Sequence, residues 1–478
     1  MKKVYIIILL FAGTITSAQA QKKWTLKECV DYALENNIAI KQSQLDRQNS
    51  ELDKKDAIGG FLPNLNASAS HSWNIGLNLD PVTGQNITAT TQNTSAGLSM
   101  NVTLFDGLQN VNRLHRANLA LLANQYQLDD IKDNTSLQVV QAFLQILFNK
   151  ESLKVLETQY KVTQEQLNRT NELVKEGVLA PGEVLEIEAN AATQEQQIVN
   201  AENTLRISKI SLAQLLLLND YDNFDIVEGN YMIPTTTIMN NSPKQIFQKS
   251  LEVRNDVKIS ETNIELAEYD FKLAKGQRYP TLTGFYSFNT RANNLDVIIF
   301  NNDGTRTIEN PNPLFDQFSD NKGHSFGLQL NIPIFTGFRI SNGIKRSKVA
   351  IERAKYNLTQ TKNNLEATVN QAYNDAKGAL KAYEAAEKTL TSRKEAHRYA
   401  TNRFDEGIMN SFDFSQSKQR LEAAESDVVR TKYDYIFRLK ILEFYFGLPL
   451  AMVIICIVFV PLYHKLKVYT AYEFLESR

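Results

Sequence analysis

The chain has 478 residues, and its 52 Lys and Arg against 53 Asp and Glu leave a formal net charge of −1, which gives no pull toward nucleic acid or a strongly anionic surface. Two cysteines, Cys29 and Cys456, are too few for a disulfide framework or a thiolate metal site, and Cys29 reads as an isolated packed thiol. The length suits two or three ordinary domains, but a duplication at constant offset argues for one repeated architecture.

Residues 1–20 carry the marks of a secretory signal peptide: Lys2 and Lys3, an apolar run from Val4 to Ala12, then Ala18-Gln19-Ala20 as a cleavage site. The mature chain is expected to start near Gln21, and no cysteine follows the cut to take a lipid anchor. Thr25–Ile58 lacks Gly and Pro and sets Leu26, Val30, Ala33 and Leu34 at helical spacing, which predicts one helix stopped by Gly59-Gly60 and Pro63. Strict alternation follows, with Leu65, Ala67, Ala69, His71 and Trp73 against Asn66, Ser68, Ser70 and Ser72. Residues 76–96, rich in Asn, Thr and Gly with Pro81, read as a loop. Alternation resumes at Leu98, Met100, Val102 and Leu104, giving a hairpin of two strands over about 64–105.

Leu108–Glu176 is then sixty-nine residues without Gly or Pro, between Gly107 and Gly177. A helix of that length would reach roughly 100 Å, too long for one globular domain, so it must lie along other helices. Leu153, Tyr160, Leu167 and Val174 recur every seven residues as a candidate packing seam. Pro181 and Gly182 make a turn, Glu183–Leu217 is a helix, and residues 218–243, with Pro234 and Pro243, link the halves. The layout repeats: a helix over Lys244–Lys275, a hairpin over about 281–335 with a longer loop at 290–324, a sixty-nine-residue helix Phe338–Glu406 between Gly337 and Gly407, and a helix Ser411–Phe446. VTLFDG lines up with IPIFTG 230 residues on, matching Phe105 to Phe335 and Glu176 to Glu406. The predicted division is 1–20 signal peptide, 21–241 first repeat, 242–447 second repeat and 448–478 a hydrophobic tail.

Counted as Leu26–Ile58 with Glu183–Leu217, and as Lys244–Lys275 with Ser411–Phe446, the two shorter helices of each half total sixty-eight residues against sixty-nine in the long one, so two short helices placed end to end cover it. The strands have an apolar side and a small polar side, the pattern of transmembrane β-strands of about 9–11 residues. Four strands cannot close a barrel, and an open edge in lipid leaves backbone groups unsatisfied at a cost of several kcal/mol each. Three chains give twelve strands. The expected fold is mainly α with a transmembrane β-barrel part: duplicated antiparallel helices forming an α-barrel, and a twelve-stranded barrel in a homotrimer.

The duplicated helix–hairpin–helix plan, Ala33-Leu34 with Asn36-Asn37, the P-x-L entries at Pro63 and Pro280, the FDG and FTG junctions and the turns at Gly177 and Gly407 resemble the TolC family of outer-membrane efflux proteins over about residues 24–447. The resemblance implies a passive conduit set in outer-membrane lipid and extending into the periplasm. Its implied partners are a periplasmic adaptor (membrane fusion) protein and an inner-membrane pump, or a type I secretion apparatus. It implies no catalysis. It also implies that carboxylates six and nine residues past the second glycine line a periplasmic aperture. Those positions are Asp413, which fits, and Gln416, which departs; Glu183 and Glu186 stand at the same offsets after the first turn. Relatives hold the aperture closed with a tyrosine and an arginine where this chain has Phe404 and Met409, so a closed state here would rest on apolar packing of Phe404, Met409 and Phe412. The tips, Gly177, Val178, Leu179 and Pro181 with Gly407 and Ile408, are the expected adaptor-docking surface.

The histidines, His71, His115, His324, His397 and His464, show no metal-ligand spacing, and there is no phosphate loop or nucleophile–base set, so neither metal nor cofactor is expected. The tail from Leu448 resembles part of a sodium/solute symporter and reads as a fusion or readthrough segment that adds no transport function. Two rival readings remain. One is a non-conducting coiled-coil stalk or adhesin, which explains the long helices but not the strands; the other is an inner-membrane symporter, which lacks the many apolar spans required.

Overall fold

The computed structural model describes residues 23–79, 84–221, 223–228, 238–300 and 304–446. The predicted signal peptide and the tail 448–478 lie outside the described residues. In chain order the elements are β1 (Lys23–Trp24), α1 (Leu26–Asn36), α2 (Ile38–Gly59), β2 (Asn64–Leu79), β3 (Asn86–Phe105), α3 (Gln109–Lys175), α4 (Gly182–Leu215) and β4 (Asp225–Ile226). After a 3-10 turn at Ile238–Asn240 come α5 (Pro243–Val253), α6 (Asn255–Gly276), β5 (Thr281–Asn293), β6 (Val297–Phe300), β7 (Arg306–Glu309), α7 (Leu314–Asp320), β8 (Gly323–Asn331), α8 (Arg339–Asp405) and α9 (Ser411–Phe446). No helix among the described residues is long and apolar enough to cross a membrane.

The helix expected over 25–58 is two, and so is the one expected over 244–275. Both copies break into 11 and 22 residues, although neither stretch contains Gly or Pro. At the first break Asn37 turns to ψ 132° and its side-chain oxygen accepts from Ala39 N–H at 2.8 Å, so one amide ends α1 and caps α2. At the second break Arg254 takes ψ 129°, held by carboxylates of Asp130 at 3.4 Å and Asp256 at 3.2 Å, with its guanidinium over the Phe444 ring. Capping boxes start α1 and α5 at equivalent positions, Thr25 with Glu28 and Ser242 with Gln245. The lengths of α1, α2 and α4, namely 11, 22 and 34, together equal the 67 of α3.

Two compact units result, and each draws on both repeats. The sheet unit comprises Asp46–Gln125 and Ile259–Leu358. Its four-stranded sheet has the order β2-β3-β5-β8, every pair antiparallel, with β2 and β8 as free edges. Register gathers apolar residues of all four strands on one face, where Leu65 opposes Met100, Leu98 opposes Phe288 and Tyr286 opposes Phe326, while the first half of β3 puts Thr88, Thr90, Gln92 and Thr94 on that same face. This face is open to solvent in the chain, with Leu65, Trp73, Ile75, Leu77 and Leu79 between 62% and 81% exposed. The other face is small and polar, as at Ser70 and Ser95, whose hydroxyls meet at 2.8 Å. Its exception is Phe285, whose ring lies over Gly327, where a Cβ would come within 2.9 Å. β2 and β3 run 16 and 20 residues, longer than the sequence pattern suggests, because the backbone ladder continues through residues read as loop. Threonines at 88, 90 and 91 are good strand formers whatever their polarity.

The helical unit takes, of the described residues, 23–45, 126–258 and 359–446. Its core gathers Cys29 and Val30 of α1, Phe143 and Ile146 of α3, Leu212 and Leu216 of α4, Phe224 and Ile226, and Tyr433 and Ile436 of α9. Cys29 is buried within it. β1 pairs in parallel with β4, and Asp225 there receives Lys150 at 2.8 Å and Lys209 at 3.0 Å. The proposed α3 seam differs from expectation: Leu153, Tyr160 and Leu167 are only half-buried, while Gln159, Thr163 and Thr170 are 7%, 2% and 6% exposed.

Candidate functional site

Two tight turns in the helical unit, with the helix ends they join, carry every residue predicted for function. One joins α3 to α4 and the other joins α8 to α9. Both close with the same bonds: Val178 N–H donates to Leu173 O at 2.9 Å and Gly177 N–H to Val174 O, as Ile408 N–H donates to Arg403 O at 2.8 Å and Gly407 N–H to Phe404 O. This is the Schellman cap, which needs a left-handed residue just past the helix, and Gly177 at φ +76° and Gly407 at φ +73° supply it. The paired glycines therefore have a backbone cause. Beside them Val178 and Ile408 are 64% and 62% exposed, while Leu179 and Met409 are half-buried.

The helices that follow start differently. Asn410 caps α9, accepting from Asp413 N–H at 2.8 Å and returning its amide to the Asp413 carboxylate at 3.0 Å. Asp413 is thus exposed and oriented, with its negative charge at a helix N-terminus. Gln416 is exposed and accepts from Arg420 at 2.9 Å along its own helix. α4 starts at Pro181 without a side-chain cap, a position where the missing N–H is harmless.

Glu183, Glu186, Leu179 and Phe404 come together, lining one small cleft with Thr170, Ile187 and Ser415. Asp413, Gln416, Met409, Val178 and Ile408 are not part of it. The Phe404 ring stacks on buried Phe414 at 4.6 Å, and His397 packs on the other partner of that pair at 5.4 Å from Phe414. Phe412 is 69% exposed in the single chain.

One cluster was missed by sequence reasoning. Behind the tips, α3, α4 and α9 enclose a cavity of about 330 Å³ lined by amides and hydroxyls around Lys418 and Glu422. The Lys418 ammonium donates to Thr163 Oγ1 at 2.8 Å and Gln166 Oε1 at 3.1 Å, while Gln194 donates to the Glu422 carboxylate at 3.2 Å. Burial pushes the Lys418 pKa down and the Glu422 pKa up, each opposed by the other's charge. Burial, with Lys418 nearby, also lowers the pKa of His397. The available signal was the i, i+4, i+7 and i+11 placement of Gln159, Thr163, Gln166 and Thr170, a helical stripe hidden by its polarity.

The fold has solved counterparts. The outer membrane protein VceC from Vibrio cholerae superposes with TM-score 0.73 at 16% identity, covering 88% of this chain and 96% of VceC. The Campylobacter jejuni CmeC outer membrane channel gives TM-score 0.74 at 18% identity, covering 88% of this chain and 85% of CmeC. In sequence, the outer membrane efflux protein BepC of Brucella suis is 21% identical over 435 residues, 91% of this chain and 88% of BepC. The proteases secretion protein PrtF of Dickeya chrysanthemi is 20% identical over 445 residues, 91% of this chain and 90% of PrtF. Residues 29–216 and 246–447 match the outer membrane efflux protein family, one segment from each copy of the duplication, and the chain belongs to that family.

Proposed function

We propose that this outer-membrane channel protein closes as a homotrimer and serves as the passive exit duct of a tripartite efflux or type I secretion system. The observation that carries the reading is the sheet. Its strands alternate in direction from β2 to β8, so β8 of one copy meets β2 of the next antiparallel, and three copies close a twelve-stranded ring without an edge. The apolar face left open in the single chain is then the lipid-facing one, and the polar face lines the duct. The family is one of transport, and the duct carries out no reaction of its own.

In this reading Asp413, Gln416, Glu183, Glu186, Phe404 and Met409 surround the periplasmic aperture. A threefold ring of Asp413 carboxylates, held by Asn410, favours cations there. The exposed side chains of Val178 and Ile408, on glycine-capped turns, form the docking surface for a periplasmic adaptor that connects to an inner-membrane pump. A non-conducting stalk would leave the apolar sheet face without a purpose. Purified protein in planar bilayers should give single-channel steps, and native mass should correspond to three chains. A monomeric or non-conducting preparation with native secondary structure would end this reading.

A further inference from the structure

The two repeats place equivalent residues in two settings, one inside the chain and one at its edges. β5 follows β2 by 217 residues, as α5 and α6 follow α1 and α2, while β8 follows β3 by 230, as Gly337 follows Gly107. Inside the chain β3 pairs with β5, and the corresponding strands β8 and β2 are the two edge strands, not paired with each other. Carrying the β3–β5 register across by these offsets turns Asn93 opposite Asn293 into Gly323 opposite Gly76, and Ala96 opposite Thr290 into Phe326 opposite Trp73. Leu98 opposite Phe288 becomes Leu328 opposite His71, and Met100 opposite Tyr286 becomes Leu330 opposite Ala69. Every pair so generated keeps both members on the same face of the sheet, Gly323 and Gly76 on the polar one and the other three pairs on the apolar one, which a slip by one residue would not.

The helix–sheet junction supports the same equivalence independently. Gly107 and Gly276 touch so closely that a Cβ on Gly107 would lie 2.5 Å from Gly276 O. Their equivalents Gly337 and Gly59 have nothing within 4 Å of that position. Those two glycines sit at the two edges of the single chain, where a neighbouring copy would bring them together.

This register leaves Leu77 and Leu79 of β2 beyond the start of β8, exposed and without a strand to meet. At that level α7 stands in for a strand along the outer end of β5. Gln317 accepts from Asn293 N–H and donates to Asn293 O, both at 3.0 Å, and Asn321 donates to Arg291 O at 2.8 Å. Held this way, α7 leaves Leu314 and Phe315 uncovered, Phe315 at 80%.

We propose that β8 of one protomer pairs with β2 of the next with Gly323 opposite Gly76, and that α7 then closes over Leu77 and Leu79 of that neighbour, Leu314 and Phe315 acting as a clasp. This rests on the oligomeric reading above and specifies its seam. The test uses full-length protein in outer membranes carrying Trp73→Cys with Phe326→Cys, or Leu79→Cys with Phe315→Cys, treated with a mild oxidant or a short bis-maleimide. Single variants control for Cys29 and Cys456, and Trp73→Cys with Leu330→Cys is a displaced pair. Covalent dimers and trimers several-fold above the displaced pair and the singles are expected for both designed pairs. If native mass shows an intact trimer but the register pair links no better than the displaced pair, the register is wrong. Failure of the Leu79 and Phe315 pair alone removes the clasp and leaves these residues facing lipid. If no oligomer is present, the parent reading falls, and the seam with it.

Discussion

Gly107 and Gly337 occupy matching places in the FDG and FTG junctions, yet alanine should act on them differently. Both have positive φ, +68° and +56°, and each is followed by a left-handed non-glycine residue, Leu108 or Phe338. A left-handed L-residue costs about 1–2 kcal/mol, and that is the whole cost within the chain for Gly337→Ala. Gly107→Ala adds a Cβ 2.5 Å from Gly276 O and 2.8 Å from Tyr279 Cβ, backbone and near-backbone atoms that cannot rotate away. Overpacking of this kind adds about 1–3 kcal/mol, for a total of about 2–5 kcal/mol. The assay is the yield of folded, protease-resistant chain in outer membranes, with thermal unfolding in detergent. Gly107→Ala should fall well below Gly337→Ala in both. Any additional loss at Gly337→Ala should appear as earlier dissociation of the oligomer and not as less folded chain. Gly107→Ala at wild-type yield and melting temperature would refute the reasoning, because the overlap it depends on would be absent.

Other changes give equally direct outcomes. Arg254→Met leaves partly buried Asp130 and the more exposed Asp256 at the α5–α6 break without their cation and should cost about 1–3 kcal/mol at neutral pH. Burial already pushes the Asp130 and Asp133 pKa values up against the pull of Arg254. The folded state therefore binds their protons more tightly than the unfolded one, and the deficit of the variant should shrink as pH falls, read from melting at several pH values. At Asp225 burial acts to raise the pKa, but hydrogen bonds and charge from Lys150 and Lys209 outweigh it and hold the group below its usual value. Its contribution is present above the unfolded value and lost as pH drops through the folded one, so Asp225→Asn should flatten the acid limb of the stability profile while lowering stability at neutral pH. Asp413→Asn should move the cation-to-anion permeability ratio toward unity in reversal-potential measurements; an unchanged ratio would take Asp413 out of the duct.

Much of this molecule was legible in its sequence because its main determinants are periodic or local. Long stretches without glycine or proline can only be helices at this length, and alternation from Leu65 to Trp73 gives a strand with unlike faces whatever surrounds it. The glycines at 177 and 407 punctuate the tips because left-handed backbone is a local requirement, and a matched offset reveals duplication without any knowledge of contacts. Tertiary structure decided what depends on partners distant in sequence. The break at Arg254 needs carboxylates on α3 and a ring on α9, so nothing within Lys244–Lys275 announces it. Lys418 and Glu422 are ordinary helical residues until α3 and α4 bury them, and Gln159 and Thr163 fill a seam that hydrophobic periodicity assigns to Leu153 and Tyr160. The twin junction glycines look identical as letters and differ only because Gly276 lies against one of them and not the other. Periodicity records which side of an element faces inward; what waits on that side is set by chain segments hundreds of residues away.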